Sequence, residues 1–162
     1  VWKTYNPLLK TGKKSFDDFI LQLRNSTHTP LTFEQIKQKE MELYKKLAYK
    51  VNWELLRYID ELKKKYNVYL FTDTIDVHDE YNKTRGIFER FHGVFKSYEE
   101  GVAKVDGQVV FEFLLQKIHA KPEECIFIDD IEVYVKIAKE CGMKGIVFKN
   151  VKALKQELSK VL

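Results

Sequence analysis

Up to Lys65 the apolar residues recur at helical spacing; from Val68 onward, short unbroken apolar runs alternate with helical stripes. Ser15-Phe16-Asp17-Asp18 reads as a capping start, and Phe16, Phe19, Ile20 and Leu23 follow at i, i+3, i+4 and i+7. Thr32 and Gln35 form a capping box ahead of a long second helix, with Leu31 and Ile36 placed for a hydrophobic staple. A third helix, about 53–65, carries Leu55, Leu56, Ile59 and Leu62 on one face. Val68-Tyr69-Leu70-Phe71 is then a continuous apolar run of the kind a strand shows when both faces are covered. A helix near 77–87 follows, then the short piece Val94-Phe95, a polar loop through Gly101 and Lys104, and a helix turning Phe111, Leu114, Leu115 and Ile118 inward. After Pro122 come a strand over 125–128, a helix over 132–141 stopping at Gly142, a strand over 145–148 and a last helix striped by Val151, Leu154, Leu158 and Val161. Strands alternating with helices predict an α/β fold with a doubly wound parallel sheet. The helices before the first strand have no strands among them. Residues 1–50 are therefore expected to be an N-terminal helical cap, and 51–162 the α/β core.

Composition narrows the picture. The chain has 162 residues, enough for one domain with a small appendage, and 44% hydrophobic and 14% aromatic content supports a packed core. Its 28 basic residues include only four arginines, Arg24, Arg57, Arg85 and Arg90, and lysines are interspersed with 24 acids for a net charge of +4. Arginine, with its planar fork, is the better reader of bases and phosphates, so this pattern predicts a solvated surface and no nucleic-acid partner. No apolar run approaches the ~20 residues of a membrane span, and no signal peptide is visible. Cys125 and Cys141 stand in apolar surroundings without a second cysteine or histidine at ligand spacing, which fits buried thiols in a reducing, cytoplasmic setting.

Two apolar runs end in polar residues. Val68–Phe71 runs into Thr72-Asp73-Thr74, and Cys125–Ile128 into Asp129-Asp130, with Lys104 between them in a glycine-bearing loop. In open α/β sheets ligands bind beyond the carboxyl ends of the strands. A hydroxyl, an ammonium and two carboxylates at one edge suit a phosphate group bridged by Mg²⁺, since hard divalent cations take carboxylate oxygens and keep water and phosphate on the open side. Taken singly, Thr72 and Asp130 are ordinary helix N-caps and Lys104 is a surface lysine. Their order on successive units of one sheet is what carries the argument.

That order resembles the haloacid dehalogenase-like hydrolases, in the subgroup with a small helical cap after the first strand. Leu70-Phe71-Thr72-Asp73-Thr74 is similar to the family's second motif, Gly101-Val102-Ala103-Lys104-Val105-Asp106 with Phe111 to its third, and Phe127-Ile128-Asp129-Asp130 with Ala138, Gly142, Met143 and Gly145 to its fourth. The resemblance implies a Rossmann-like core and phosphoryl transfer to an aspartate and then to water, with rarer members cleaving carbon–halogen bonds. It implies that Thr72 and Asp73 meet the phosphate, that Lys104 holds both phosphate and the attacking carboxylate, and that Asp129 and Asp130 bind Mg²⁺. The substrate would be a small phosphorylated metabolite and the protein a monomer or homodimer. Asp73 in place of Asn, Val105 and Gly107 in place of prolines, and Tyr134 in place of Asn depart from the pattern. None of them removes a charge-bearing group, so they point to altered substrate fit.

The first family motif, a strand ending Asp-x-Asp that supplies the nucleophile, the general acid/base and a further Mg²⁺ ligand, has no counterpart here. Asp17-Asp18 follows Ser15-Phe16 and belongs to a helix's first turn, where acids complement the dipole. In the family that strand is central, between the strands ending here at Thr72 and Asp129, and its loss would leave facing rows of unpaired backbone groups. With a start at Val1 and not at Met, the sequence is expected to be a fragment that does not turn over substrate by itself. Two other readings compete: a non-catalytic phosphate- or partner-binding module of the same descent, and a phospho-acceptor receiver domain. The receiver's acid pair comes first in the chain and its lysine last, the reverse of the order here.

Overall fold

A computed structural model describes residues 2–48 and 50–162. The chain falls into two compact units, Val1–Ala103 and Lys104–Leu162. Among the described residues four strands form two separate two-stranded parallel sheets, one in each unit. The fold class is α/β and Rossmann-like, as the alternation of strands and helices predicts.

The first unit opens with α1 (Trp2–Lys10), α2 (Phe16–Ser26) and α3 (Phe33–Leu47). Both expected capping boxes form. Ser15 accepts from the Asp18 amide while the Asp18 side chain accepts from Ser15, and Thr32 pairs with Gln35 in the same way. Asp17-Asp18 is thus a helix first turn, as read from the sequence. The bonds to Ser15, backbone first and then hydroxyl, hold the Asp18 carboxyl below its ordinary range. α1 carries Pro7 inside it, with Trp2, Tyr5 and Leu9 at i, i+3 and i+7. Tertiary contact sustains it: Leu9 is fully buried, and Trp2 and Tyr5 set their rings against Phe19 at 5.4 and 5.7 Å.

α4 (Trp53–Leu62) leads to β1 (Tyr69–Thr72), α5 (Asp76–Asn82), β2 (Gly93–Lys96) and the short α6 (Ser97–Glu100). β1 and β2 pair in parallel, with Thr72 opposite Lys96. Leu9, Phe16, Phe19, Ile20 and Ile36 from the helices share one core cluster with Ile75 and Val77 from the start of α5. Phe16 and Phe19, at 1% and 8% exposure, pack this core. The helix predicted to reach residue 87 ends at Asn82 and passes into a 3₁₀ turn, Lys83–Arg85, closed by Gly86 in the left-handed region.

The second unit holds α7 (Gln108–Ile118), β3 (Ile126–Asp129), α8 (Glu132–Glu140), β4 (Lys144–Val147) and α9 (Val151–Val161). β3 and β4 are parallel, and Asp129 lies opposite Val147. Phe111 meets Phe127 edge-on, 4.8 Å between centroids. Gly145 lets α8 lie close on β4: a Cβ there would come within 2.8 Å of Val135 and 2.9 Å of Lys139.

Candidate active site

In the first unit, β1 ends at Thr72, and the connection to α5 is only Asp73-Thr74-Ile75. Ser97 holds this connection from the start of α6. Its hydroxyl accepts from the Thr74 amide and donates to the Thr74 carbonyl, both at 3.0 Å. Asp76 then opens α5. Its carboxylate accepts from the Val77 amide at 2.8 Å and, across 60 residues of sequence, from the Phe16 amide at 3.0 Å. Thr72 and Asp73 are half-buried on this braced turn.

In the second unit, Lys104 begins a 3₁₀ turn, Lys104–Asp106, packed beside α7. Its ammonium donates to Asp129 Oδ2 at 2.6 Å, and Asp129 Oδ1 accepts from the Ile131 amide at 2.8 Å. The pair is largely dry, with side-chain exposures of 16% for Lys104 and 6% for Asp129. A charged pair withdrawn from water persists only with such short, hydrogen-bonded geometry. The Tyr134 ring lies 5.9 Å from the ammonium, within cation–π range. The next residue, Asp130, is exposed. Lys104 therefore balances one carboxylate and leaves the neighbouring one facing solvent.

The sequence reasoning named five site residues. The structure joins Lys104 to Asp129, sets Asp130 beside them at the end of β3, and keeps Thr72 and Asp73 on the β1–α5 turn of the other unit. Two carboxylates at a strand end are a hard-oxygen donor set. Asp129 retains a lone pair on each oxygen after its two bonds, and the Asp130 carboxylate is exposed to solvent. Among the described residues no group of three or more His, Cys, Asp or Glu gathers as a complete cage. Mg²⁺ binds through one or two carboxylates and completes its octahedron with water and substrate oxygens, so the Asp129–Asp130 pair fits it by donor chemistry.

Sequence reasoning missed a second lysine–carboxylate pair. Asp79 on α5 is fully buried, and its Oδ2 receives Lys96 at 2.9 Å, Tyr98 at 2.9 Å and Lys83 at 3.0 Å. Burial pushes the Asp79 carboxyl up, but these three donors outweigh it and hold the group below its ordinary range. Burial likewise depresses Lys96, and its bonds to Asp79 and Glu99 reverse the sign and raise it. Burial, then the bonds to Asp79 and Glu99, push the Tyr98 phenol up. The available signal was Lys96 itself, a charge closing the apolar piece Val94-Phe95.

The family model of the haloacid dehalogenase-like hydrolases matches residues 2–142. The chain belongs to that family. The haloacid dehalogenase-like fold recurs in a variant of a HAD family enzyme from Bacteroides thetaiotaomicron in complex with magnesium and inorganic phosphate. The two superpose with a TM-score of 0.78 at 23% identity, over 91% of this chain and 76% of that one. Among curated relatives, D-ribitol-5-phosphate phosphatase of the same bacterium is 28% identical over 161 residues, 95% of this chain and 76% of that protein. The bifunctional epoxide hydrolase 2 of Mus musculus is 34% identical over 73 residues, which is 45% of this chain and 13% of that much longer protein. Among the described residues no helix is long and apolar enough to cross a membrane.

Proposed function

We propose that this protein is a Mg²⁺-dependent phosphatase of small phosphate monoesters, working through an aspartyl-phosphate, with polyol phosphates such as ribitol 5-phosphate as its substrate class. The observation that carries the reading is the 2.6 Å Lys104–Asp129 pair beside the exposed Asp130 at the end of β3. The relative named D-ribitol-5-phosphate phosphatase, aligned over 95% of the chain, supports the substrate class.

Each residue has a role in this reading. The Thr72 hydroxyl donates to a phosphoryl oxygen, and Asp73 shapes the same turn. Lys104 offers the charge that offsets phosphate and the attacking carboxylate, and Asp129 holds that ammonium in place while sharing Mg²⁺ with Asp130. The metal, when bound, supplies positive charge against the transferring phosphoryl group. No Asp-x-Asp occurs in the 162 residues, so their part is binding and charge balance, and the attacking aspartate is assigned outside them. Residues 1–50 form the cap that selects substrate, and 51–162 the core. The enzyme is read as cytoplasmic, a monomer or homodimer without nucleic-acid or membrane partners.

The test is release of phosphate from ribitol 5-phosphate by the protein expressed from its full reading frame, with and without Mg²⁺. Metal-dependent turnover is expected. Metal-dependent phosphate binding without turnover would favour the non-catalytic module instead, and release of halide from a haloacid would favour the dehalogenase branch of the family.

A further inference from the structure

We infer that Asp76 is a positioning residue that registers the helical cap against the phosphate-binding turn and so sets substrate selectivity; this rests on the phosphatase reading above. α5 starts four residues after Thr72 and is bonded to both of its neighbours within the first unit. Toward the cap, Asp76 takes the Phe16 amide at 3.0 Å, His78 meets Glu40 at 2.8 Å and stacks on Tyr44 at 3.8 Å, and Asn82 accepts from the Tyr44 hydroxyl at 3.1 Å. Toward the sheet, Thr74 is held by Ser97, and Asp79 by Lys96 and Tyr98. Ile75 and Val77 complete the join, because they belong to the same core as Leu9, Phe16, Phe19, Ile20 and Ile36. That core holds the cap helices close to the turn carrying Thr72, and the polar joins fix their register.

Asp76 stands apart from the other joins. α2 already has its cap in the Ser15–Asp18 box, so the helix does not need Asp76 to form. The Phe16 amide is a separate orphan donor of the first turn, where the helix dipole is positive and a carboxylate is the strongest acceptor. The bond therefore acts between elements: it fixes where α2 begins relative to the turn that grips phosphate. A cap shifted by a fraction of an ångström would still admit phosphate but would misplace the rest of the substrate.

The experiment compares wild type, Asp76→Ala and Asp76→Asn in the full reading frame, with Asp76→Ser, shorter by one bond and uncharged, standing in if the Ala variant does not fold. Ribitol 5-phosphate and p-nitrophenyl phosphate are the substrates and inorganic phosphate the competitive inhibitor. In Asp76→Ala the preference for ribitol 5-phosphate should fall about tenfold, through KM more than kcat, while phosphate inhibition stays unchanged. Asp76→Asn, which keeps an acceptor oxygen, should recover most of it. An unchanged preference, or an equal fall for both substrates together with weakened phosphate inhibition, would overturn the inference. If wild type cleaves neither ester, the phosphatase reading has failed, and amide exchange decides the coupling alone. Faster exchange through the first turn of α2 beyond Phe16, with residues 73–75 unchanged, in Asp76→Ala supports it, and unchanged exchange in α2 beyond Phe16 sinks it.

Discussion

The two units each bury a lysine against an aspartate, and they use the pair differently. In the first unit Asp79 is wholly enclosed and its Oδ2 gathers Lys96, Tyr98 and Lys83, while its Oδ1 is buried without a hydrogen-bond partner among the described residues. In the second unit Asp129 spends one oxygen on Lys104 and one on the Ile131 amide, and an exposed acid follows at once in sequence. Burial of an ion pair beside an exposed acid is no mark of a site by itself, since Asp79 too is followed by an exposed acid, Glu80. What separates them is place: Asp129 and the exposed Asp130 close a strand, whereas Asp79 and the exposed Glu80 lie within a helix.

The sharpest break of this comparison is Asp79→Ala. It strands Lys96, and unfolding in urea should show a loss of about 3–5 kcal/mol, with activity per folded molecule retained. Lys104→Met should do the reverse. Its kcat/KM for a phosphate ester should drop by about 100-fold or more, close to 2.7 kcal/mol, with a smaller change in the urea midpoint. If both variants lose stability alike and neither loses turnover per folded molecule, the division of labour between the pairs is wrong.

Glycine substitutions probe the packing within each unit. A Cβ on Gly12, at φ +64°, would meet the Tyr98 carbonyl oxygen at 2.0 Å, so Gly12→Ala should cost about 2–4 kcal/mol. Gly145→Ala meets side chains of Val135 and Lys139, which can shift, and should cost about 1–2 kcal/mol. Thermal unfolding of the two variants checks the ranking.

The smallest effect is in pH. The Asp79 carboxyl is lower in the fold than in the unfolded chain, so its stabilisation is complete above about pH 4 and fades as pH drops through the folded value. Asp18 acts in the same direction. Lys96 is raised, so its share is complete below about pH 10.4 and is lost as pH climbs past the folded value. Stability should form a plateau between those limits, and Asp79→Asn should flatten the acid limb in a urea series at stepped pH.

Much of the fold was legible where local chemistry and burial agree. Ser15 with Asp18 and Thr32 with Gln35 set helix starts that the structure reproduces, and the apolar runs ending at Thr72 and Asp129 became β1 and β3. α1 was not legible, because Pro7 inside a short segment argues against a helix even with Trp2, Tyr5 and Leu9 at helical spacing; Phe19 and the cluster around Leu9 hold it from outside. For the candidate site, the order of motifs singled out the acid pair and Lys104, but not that Lys104 would lie on Asp129. The Asp79 network was hidden for a related reason. Its members are spread from residue 79 to residue 99, and Asp79 and Lys96 look like surface charges until the fold removes the water around them.

The stack of His78 on Tyr44, nearly parallel at 3°, gives the molecule a built-in reporter. Protons of an imidazole lying flat over a phenol ring sit in that ring's shielding cone, and with four histidines in the chain the displaced resonance can be picked out in a one-dimensional proton spectrum. Its return toward the ordinary frequency would register the parting of α3 from α5 in real time, without a label and without a substrate.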